Sequence, residues 1–374
     1  MTLSRRIFLS KSMHLATASV AANLLPVSGI AQEIIYGPQT EIAQLHWNEN
    51  FYGPSPAAIQ AMQESALKGA YYPDPIIKKL IAMIAEQHDL GIKNITVSAG
   101  STQALSYLAQ VKSRENPIVT TQLGWDTHLS YAQNIGGVIV RVDNGDNLEI
   151  NLADIESITN KNISSVSIVN PNNPTGLLIN ANELRTSVIK MSKKALVIVD
   201  EAYNEITDEP EVNSMISLVN EGHNVAISRT FSKIYGLAGL RLGWGYSSKK
   251  IIKAMYQIKP PFNVNRFALA ASIEAIKDDE WTKRAIEHNT LWTKKIFSVL
   301  EENKVVSNKP TANFFLMNFD KTKINSDEAF ERLAKERLIL RNMKQYKIPN
   351  SLRLTIGTEE MNQHFIKSIK EICK

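Results

Sequence analysis

What this chain lacks narrows its chemistry before any motif is read. It has one cysteine, Cys373, so it can form no intramolecular disulfide and no thiolate metal cage. A single thiol does not decide the redox compartment. Its seven histidines, at 14, 46, 88, 128, 223, 288 and 364, include no pair at His-x-x-x-His spacing, and no metal site is expected. A basic field is also missing. The net charge is +5, but Arg5, Arg6 and Lys11 put three of those charges into the first 31 residues, which contain no acid. The remainder carries only +2, too little to argue for nucleic acid. Internal repeats and low-complexity linkers are absent. Hydrophobic residues at 44% and charged residues at 21% exclude a fibrous or disordered chain.

What is present begins with "SRRIFLSKS" (4 to 12), followed by the mildly apolar run "MHLATASVAANLLPVSGIA" (13 to 31). Two arginines, an apolar stretch and small residues at Gly29 and Ala31 make the three-part layout of an export signal. The run is too short and too rich in Ala, Ser and Thr to make a good membrane span, so no stable membrane insertion is expected. The arginine pair resembles the twin-arginine signal, Ser-Arg-Arg-x-Phe-Leu-Lys, with Ser10 at the lysine position and Lys11 next. The plain alternative is an amphipathic or disordered N-terminal stretch with two incidental arginines. On the export reading, 1–31 is a cleaved signal peptide, the Tat export machinery is a partner, and the mature protein is periplasmic or otherwise exported.

After residue 32 the chain alternates short β-branched runs with longer helical patterns. "NITVSAG" (94 to 100), "PIVTT" (117 to 121), "GVIVRV" (137 to 142), "SVSIVN" (165 to 170), "ALVIVD" (195 to 200) and "NVAISRT" (224 to 230) read as buried parallel strands. Helical stretches at 101 to 112, 125 to 135 and 181 to 193 lie between them. From about 266 a long charged helical stretch leads to "NFFLMNF" (313 to 319), a helix near 326 to 336, "LILRN" (338 to 342), "LRLTIG" (352 to 357) and a final helix from about 358. The pattern predicts an α/β fold: a three-layer large domain with a mostly parallel sheet, and a smaller α+β C-terminal domain. The expected division is an N-terminal arm at 32–60, a large domain at 61–265 and a small domain at 266–374.

In an open parallel sheet, ligands bind beyond the carboxyl ends of the strands. Here those ends carry Asn173 in "NPNNPTG", Asp200 and Tyr203 in "VDEAY", and Thr230, Ser232 and Lys233 in "SRTFSK". "SAGSTQ" places Ser101 and Thr102 at a strand-to-helix junction, where free N–H groups and a positive helix end favour a phosphate. Singly, each has a plain use as a cap, a turn or a solvated lysine. Together they meet the needs of pyridoxal phosphate: an amine for its aldehyde, a carboxylate for its ring nitrogen, and donors for its phenolic oxygen and phosphate.

The order of "LHWNENFYGPSP" (45 to 56), "YYPDP" (71 to 75), "GSTQ", "NPNNPTG", "DEAY", "SRTFSKIYGLAGLRLGW" (228 to 244), "ANFFLMNF" (312 to 319) and "LRLTIGTEEMN" (352 to 362) resembles the fold-type I, class I/II aminotransferases that use pyridoxal phosphate. The histidinol-phosphate aminotransferase branch is the nearest likeness. By position, the resemblance implies that Lys233 holds the cofactor as a Schiff base and shuttles the proton at the substrate carbon. Asp200 would pair with the ring nitrogen, Asn173 and Tyr203 would hold the phenolic oxygen, and Ser101, Thr102, Thr230, Ser232 and Arg241 would surround the phosphate. Trp125, in "LGWDTH", takes the place of the residue that stacks on the ring, where the family more often has other wording; its plain reading is a core aromatic. Arg353 matches the arginine that grips the anionic end of the substrate, since an arginine in an apolar strand needs a partner. Asn48, Tyr52 and Tyr72 match substrate-side positions, and Tyr72 in this family reaches the neighbouring subunit's site, which implies a homodimer with shared active sites.

The resemblance implies transfer of an amino group between an amino acid, or an amine resembling an amino-alcohol phosphate, and a 2-oxo acid. Other chemistry on the same cofactor (decarboxylation, elimination or racemisation) and a non-catalytic cofactor binder are the alternatives. The full set of lysine, aspartate, tyrosine and arginine argues against the binder. Departures from the branch at "SAGSTQ", "NFY" and "LGWDTH", together with an export address, argue for a substrate outside histidine synthesis, which is cytoplasmic.

Overall fold

The computed structural model describes residues 41–114 and 116–374; the signal reading at 1–31 and the first part of the expected arm lie outside them. Ala43–Lys374 form one compact unit built around two sheets.

The larger sheet contains β2 (Ile95–Ser98), β3 (Ile118–Thr121), β4 (Ile139–Val142), β5 (Ser165–Val169), β6 (Leu196–Asp200), β7 (Val225–Thr230) and β8 (Gly243–Ser247), in the order β2-β8-β7-β6-β5-β3-β4. The five strands from β7 to β4 pair in parallel, and β8 runs against both β7 and β2. The sequence reading takes "NITVSAG" as one of a parallel set and has no strand at β8. "GWGYS" has no β-branched residue, and its two glycines weaken the strand preference of Trp244 and Tyr246. Its Gly243 is there for another reason: a Cβ would lie 2.3 Å from the Ser101 nitrogen, so this strand must pass hard against the start of the helix Ser101–Ser113.

Alternate residues of the central strands enter opposite cores, as a period of two requires. Val197, Val199, Val225 and Ile227 pack with the helices Asp74–Gln87, Ala181–Ser192 and Arg266–Ala275. Leu196, Ile198 and Ala226 pack with Ser101–Ser113 and Lys249–Ile258. This is the expected three-layer arrangement.

The smaller sheet has the order β1-β11-β12-β10-β9, with β1 (Ala43–Leu45), β9 (Val306–Ser307), β10 (Phe314–Asn318), β11 (Leu338–Asn342) and β12 (Ser351–Thr355). Core membership cuts across the division expected from chain order. The helix Arg266–Ala275 belongs to the large-sheet core, because its small residues Ala268, Ala271 and Ala275 let it pack closely there. From the expected arm, Ala43 and Leu45 enter the small-sheet core, since β1 pairs in parallel with β11.

Candidate active site

The carboxyl ends of β5, β6 and β7, the start of the Ser101–Ser113 helix, and the strand pair β11–β12 surround a cavity of about 610 Å³. It is lined by Asn48, Ser101, Thr102, Trp125, Asn173, Asp200, Tyr203, Thr230, Ser232, Lys233, Arg241 and Arg353. Twelve of the fourteen residues singled out from sequence therefore meet in one place. Tyr52 lies beyond Lys233, in a smaller neighbouring cavity of about 200 Å³, with its hydroxyl 3.4 Å from His288 Nδ1. Tyr72 is away from both; it is 71% exposed and stacked on Phe262, ring centroids 4.2 Å apart. The cavity also takes in Trp47, Glu49, Arg341 and Tyr346, which the sequence reading missed. "LILRN" contains the signal for Arg341, an arginine in a mainly apolar strand.

At one end the groups form an anion cradle. Gly100, at φ +77°, turns the chain from β2 into the helix, and a Cβ there would lie 2.5 Å from an Arg241 Nη2 that closes over the turn. Arg241 itself has φ +59°, directing its guanidinium back so that Nη1 donates to Ser232 Oγ at 3.3 Å and to the Ala238 carbonyl at 3.0 Å. Thr230 Oγ1 donates to Ser232 Oγ at 2.9 Å and accepts from the Ser232 N–H at 3.1 Å. Helix N–H groups, hydroxyls and a guanidinium converge as a phosphate requires.

In the middle, Asp200 ends β6, only 3% exposed, with Oδ1 buried and without a partner among the described residues. Burial, reinforced by the neighbouring Glu201 charge, lifts its pKa to about 7, against the pull of the Ala202 N–H and Lys233. A buried carboxylate left in that state calls for a cation, and the protonated ring nitrogen of pyridoxal phosphate is one. Lys233 Nζ donates to the carbonyls of Trp47 at 3.2 Å and Asn48 at 3.1 Å. Burial, then the charges of Arg353 and Arg241, lower its pKa to about 8, so a neutral, nucleophilic amine is readily reached. Asn48 Nδ2 donates to Tyr203 Oη at 2.9 Å, and burial raises the Tyr203 pKa to about 12, keeping a phenol rather than a phenolate. These residues fit the cofactor.

On the other face of the same strand ends, Arg229 Nε and Nη2 reach Glu201 Oε2 at 3.0 and 2.8 Å, and Ser214 Oγ also donates to that oxygen at 2.8 Å. Each member of this buried pair is one residue from a cavity residue, Asp200 or Thr230. Strand alternation therefore points the pair away from the cavity while it ties β6 to β7 behind it.

At the far end, Arg353 is 5% exposed; Nη1 donates to Asn173 Oδ1 at 2.6 Å and Nη2 to the His46 carbonyl at 2.8 Å, while Nε is buried without a partner among the described residues. Arg341 stands directly opposite it across the β11–β12 pair, and burial with the Arg341 charge depresses the Arg353 pKa. Like charges facing each other on antiparallel strands repel unless an anion lies between them.

The family profile of aminotransferase class I and II matches residues 40–369, so the chain belongs to that family. It is a pyridoxal-phosphate-dependent aminotransferase of the histidinol-phosphate aminotransferase-like kind, and its substrates are small amino and 2-oxo compounds. It is 36% identical over 333 residues to the histidinol-phosphate aminotransferase of Pelagibacter ubique (strain HTCC1062), covering 88% of this chain and 92% of that one. It is 34% identical over 338 residues to the enzyme of the same name from Maricaulis maris (strain MCS10), with the same shares covered. In fold it resembles the Sinorhizobium meliloti histidinol-phosphate aminotransferase solved with pyridoxal-5'-phosphate, with a TM-score of 0.80, 23% identity, and 88% and 91% of the two chains covered.

Proposed function

We propose that this aminotransferase moves an amino group between an amino acid or related amine and a 2-oxo acid, each presented through an anionic group to Arg353 and Arg341. The observation that carries this reading is the pairing of those two arginines across β11 and β12 on the wall of the cavity. A carboxylate or phosphate between them removes their repulsion and gains charge-assisted hydrogen bonds. Bound pyridoxal phosphate supplies an aldehyde to carry the nitrogen and a ring that withdraws electrons from the substrate carbon. Asp200 holds negative charge against the ring nitrogen, Lys233 Nζ moves the proton at the substrate Cα, and Tyr203 with Asn173 orients the ring through its phenolic oxygen. The exposed pair Tyr72 and Phe262, with Tyr71, supports assembly as a homodimer whose subunits share active sites.

The test is a panel of donors, histidinol phosphate among them, with 2-oxo acid acceptors, in which the keto product is measured. Anionic donors should be turned over and uncharged amines should not. Release of carbon dioxide or ammonia in place of amino transfer would replace this reading with decarboxylation or elimination.

Its place of work is outside the cytoplasm, reached through the twin-arginine segment at 4–12 and cleavage near Ala31. "SRRIFLSKS" and the small residues before position 32 support this. Arg5→Lys with Arg6→Lys should leave a folded, cofactor-bound protein in the cytoplasmic fraction; export of that variant would overturn the address.

A further inference from the structure

Behind Trp125 lies a histidine that the chemistry above does not use. His128, in the helix Thr127–Asn134, is wholly buried, and its ring stacks on the Trp125 indole with centroids 5.5 Å apart and planes inclined by 21°. Nε2 lies 3.1 Å from Ser167 Oγ on β5, while Nδ1 is buried with no partner among the described residues. Burial, then the Arg141 charge, holds its pKa at about 3, so the ring is neutral. The chain around the indole is also tied down: Asp126, next to Trp125, is paired with Arg141 of β4 at 2.5 Å, and two residues before Trp125 the Leu123 N–H donates to Asn144 Oδ1 at 2.8 Å.

Packing alone does not explain this choice. A buried ring nitrogen without a partner is destabilising, and a leucine would fill the space without that penalty. What a leucine cannot supply is a flat surface held at a fixed tilt by a hydrogen bond to the sheet. We propose that His128 is a positioning residue: it sets the plane of the Trp125 indole so that the indole lies flat on the pyridine ring of the cofactor. This rests on Trp125 being the ring-stacking residue, as the family likeness implies.

The test compares His128→Leu, His128→Phe, Trp125→Leu and the Leu/Leu double variant. The readouts are the dissociation constant for pyridoxal phosphate and the induced circular dichroism of the bound cofactor. His128→Leu should weaken binding about three- to tenfold, the worth of one aromatic pair, and diminish the dichroic band. His128→Phe, which keeps the ring, should recover most of both. In the Trp125→Leu background, His128→Leu should add nothing. If Trp125→Leu binds cofactor as the parent does, the stacking assignment of Trp125 fails and takes this inference with it. If Trp125→Leu weakens binding but His128→Leu does not, or if the two losses add in full, the positioning role alone is overturned. Should His128→Leu fail to fold, Ser167→Ala decides: loss of the anchor should weaken binding in the same direction by about twofold, and unchanged binding would overturn the proposal.

Discussion

The two ends of the cavity are built on opposite principles. The cofactor end comes from short stretches, 100–102 and 230–233, closed by Arg241, and several of its groups are already bonded to one another. The substrate end is assembled from residues 46–48, 173, 341 and 353, and it holds two arginines face to face, one with an unpartnered buried nitrogen. The first is an anion cradle preformed before anything binds. The second is held in electrostatic tension that an anionic substrate relieves, so binding energy there depends on the substrate having its charge in the right place.

The strongest way to break this comparison is Lys233→Ala. Amino transfer should fall by about 10⁴-fold or more, since both the nucleophile and the proton carrier are lost. The cradle is independent of the amine, so cofactor should still bind; loss of cofactor together with activity would mean that the cradle is not self-sufficient. A second effect lies in pH. Asp200 has a folded pKa near 7 against 3.8 unfolded, so the cofactor-free fold takes up protons and its stability falls as pH rises from about 4 through 7. Asp200→Asn should remove that slope and raise cofactor-free stability at pH 8 by up to about 4 kcal/mol, measured by denaturant unfolding at pH 5 and pH 8. An unchanged slope would show that another group carries it. The mildest test acts at the other end: Arg353→Leu should lower kcat/KM for anionic substrates roughly ten- to 150-fold, the worth of hydrogen bonds to charge, and leave cofactor affinity within about twofold. An equal loss of cofactor affinity would erase the distinction between the ends.

The same contrast explains what could be read from the sequence. The cradle and the central carboxylate are contiguous motifs, so "GST", "DEAY" and "SRTFSK" carry their own spacing. The parallel core strands are equally plain, because burial on both faces makes each a β-branched run. Arg341 and Arg353 face each other through a strand register that only the folded sheet defines. His128 meets Trp125 where the chain turns into the Thr127–Asn134 helix, and its buried ring and its bond to Ser167 depend on where β5 lies. Strand β8 was hidden because Gly243 and Gly245 weaken a strand pattern, and close approach to the Ser101 helix is what selects glycine at 243.

One segment has a practical consequence for anyone preparing the protein. Strand β1 begins at Ala43, and the residues that follow it give the His46 carbonyl to Arg353, the Trp47 and Asn48 carbonyls to Lys233, and the Asn48 amide to Tyr203. A recombinant version trimmed upstream of residue 43 keeps all of these. One trimmed even six residues further in would express as a protein with its reaction floor cut away, and an inactive sample of that kind would say nothing about the enzyme.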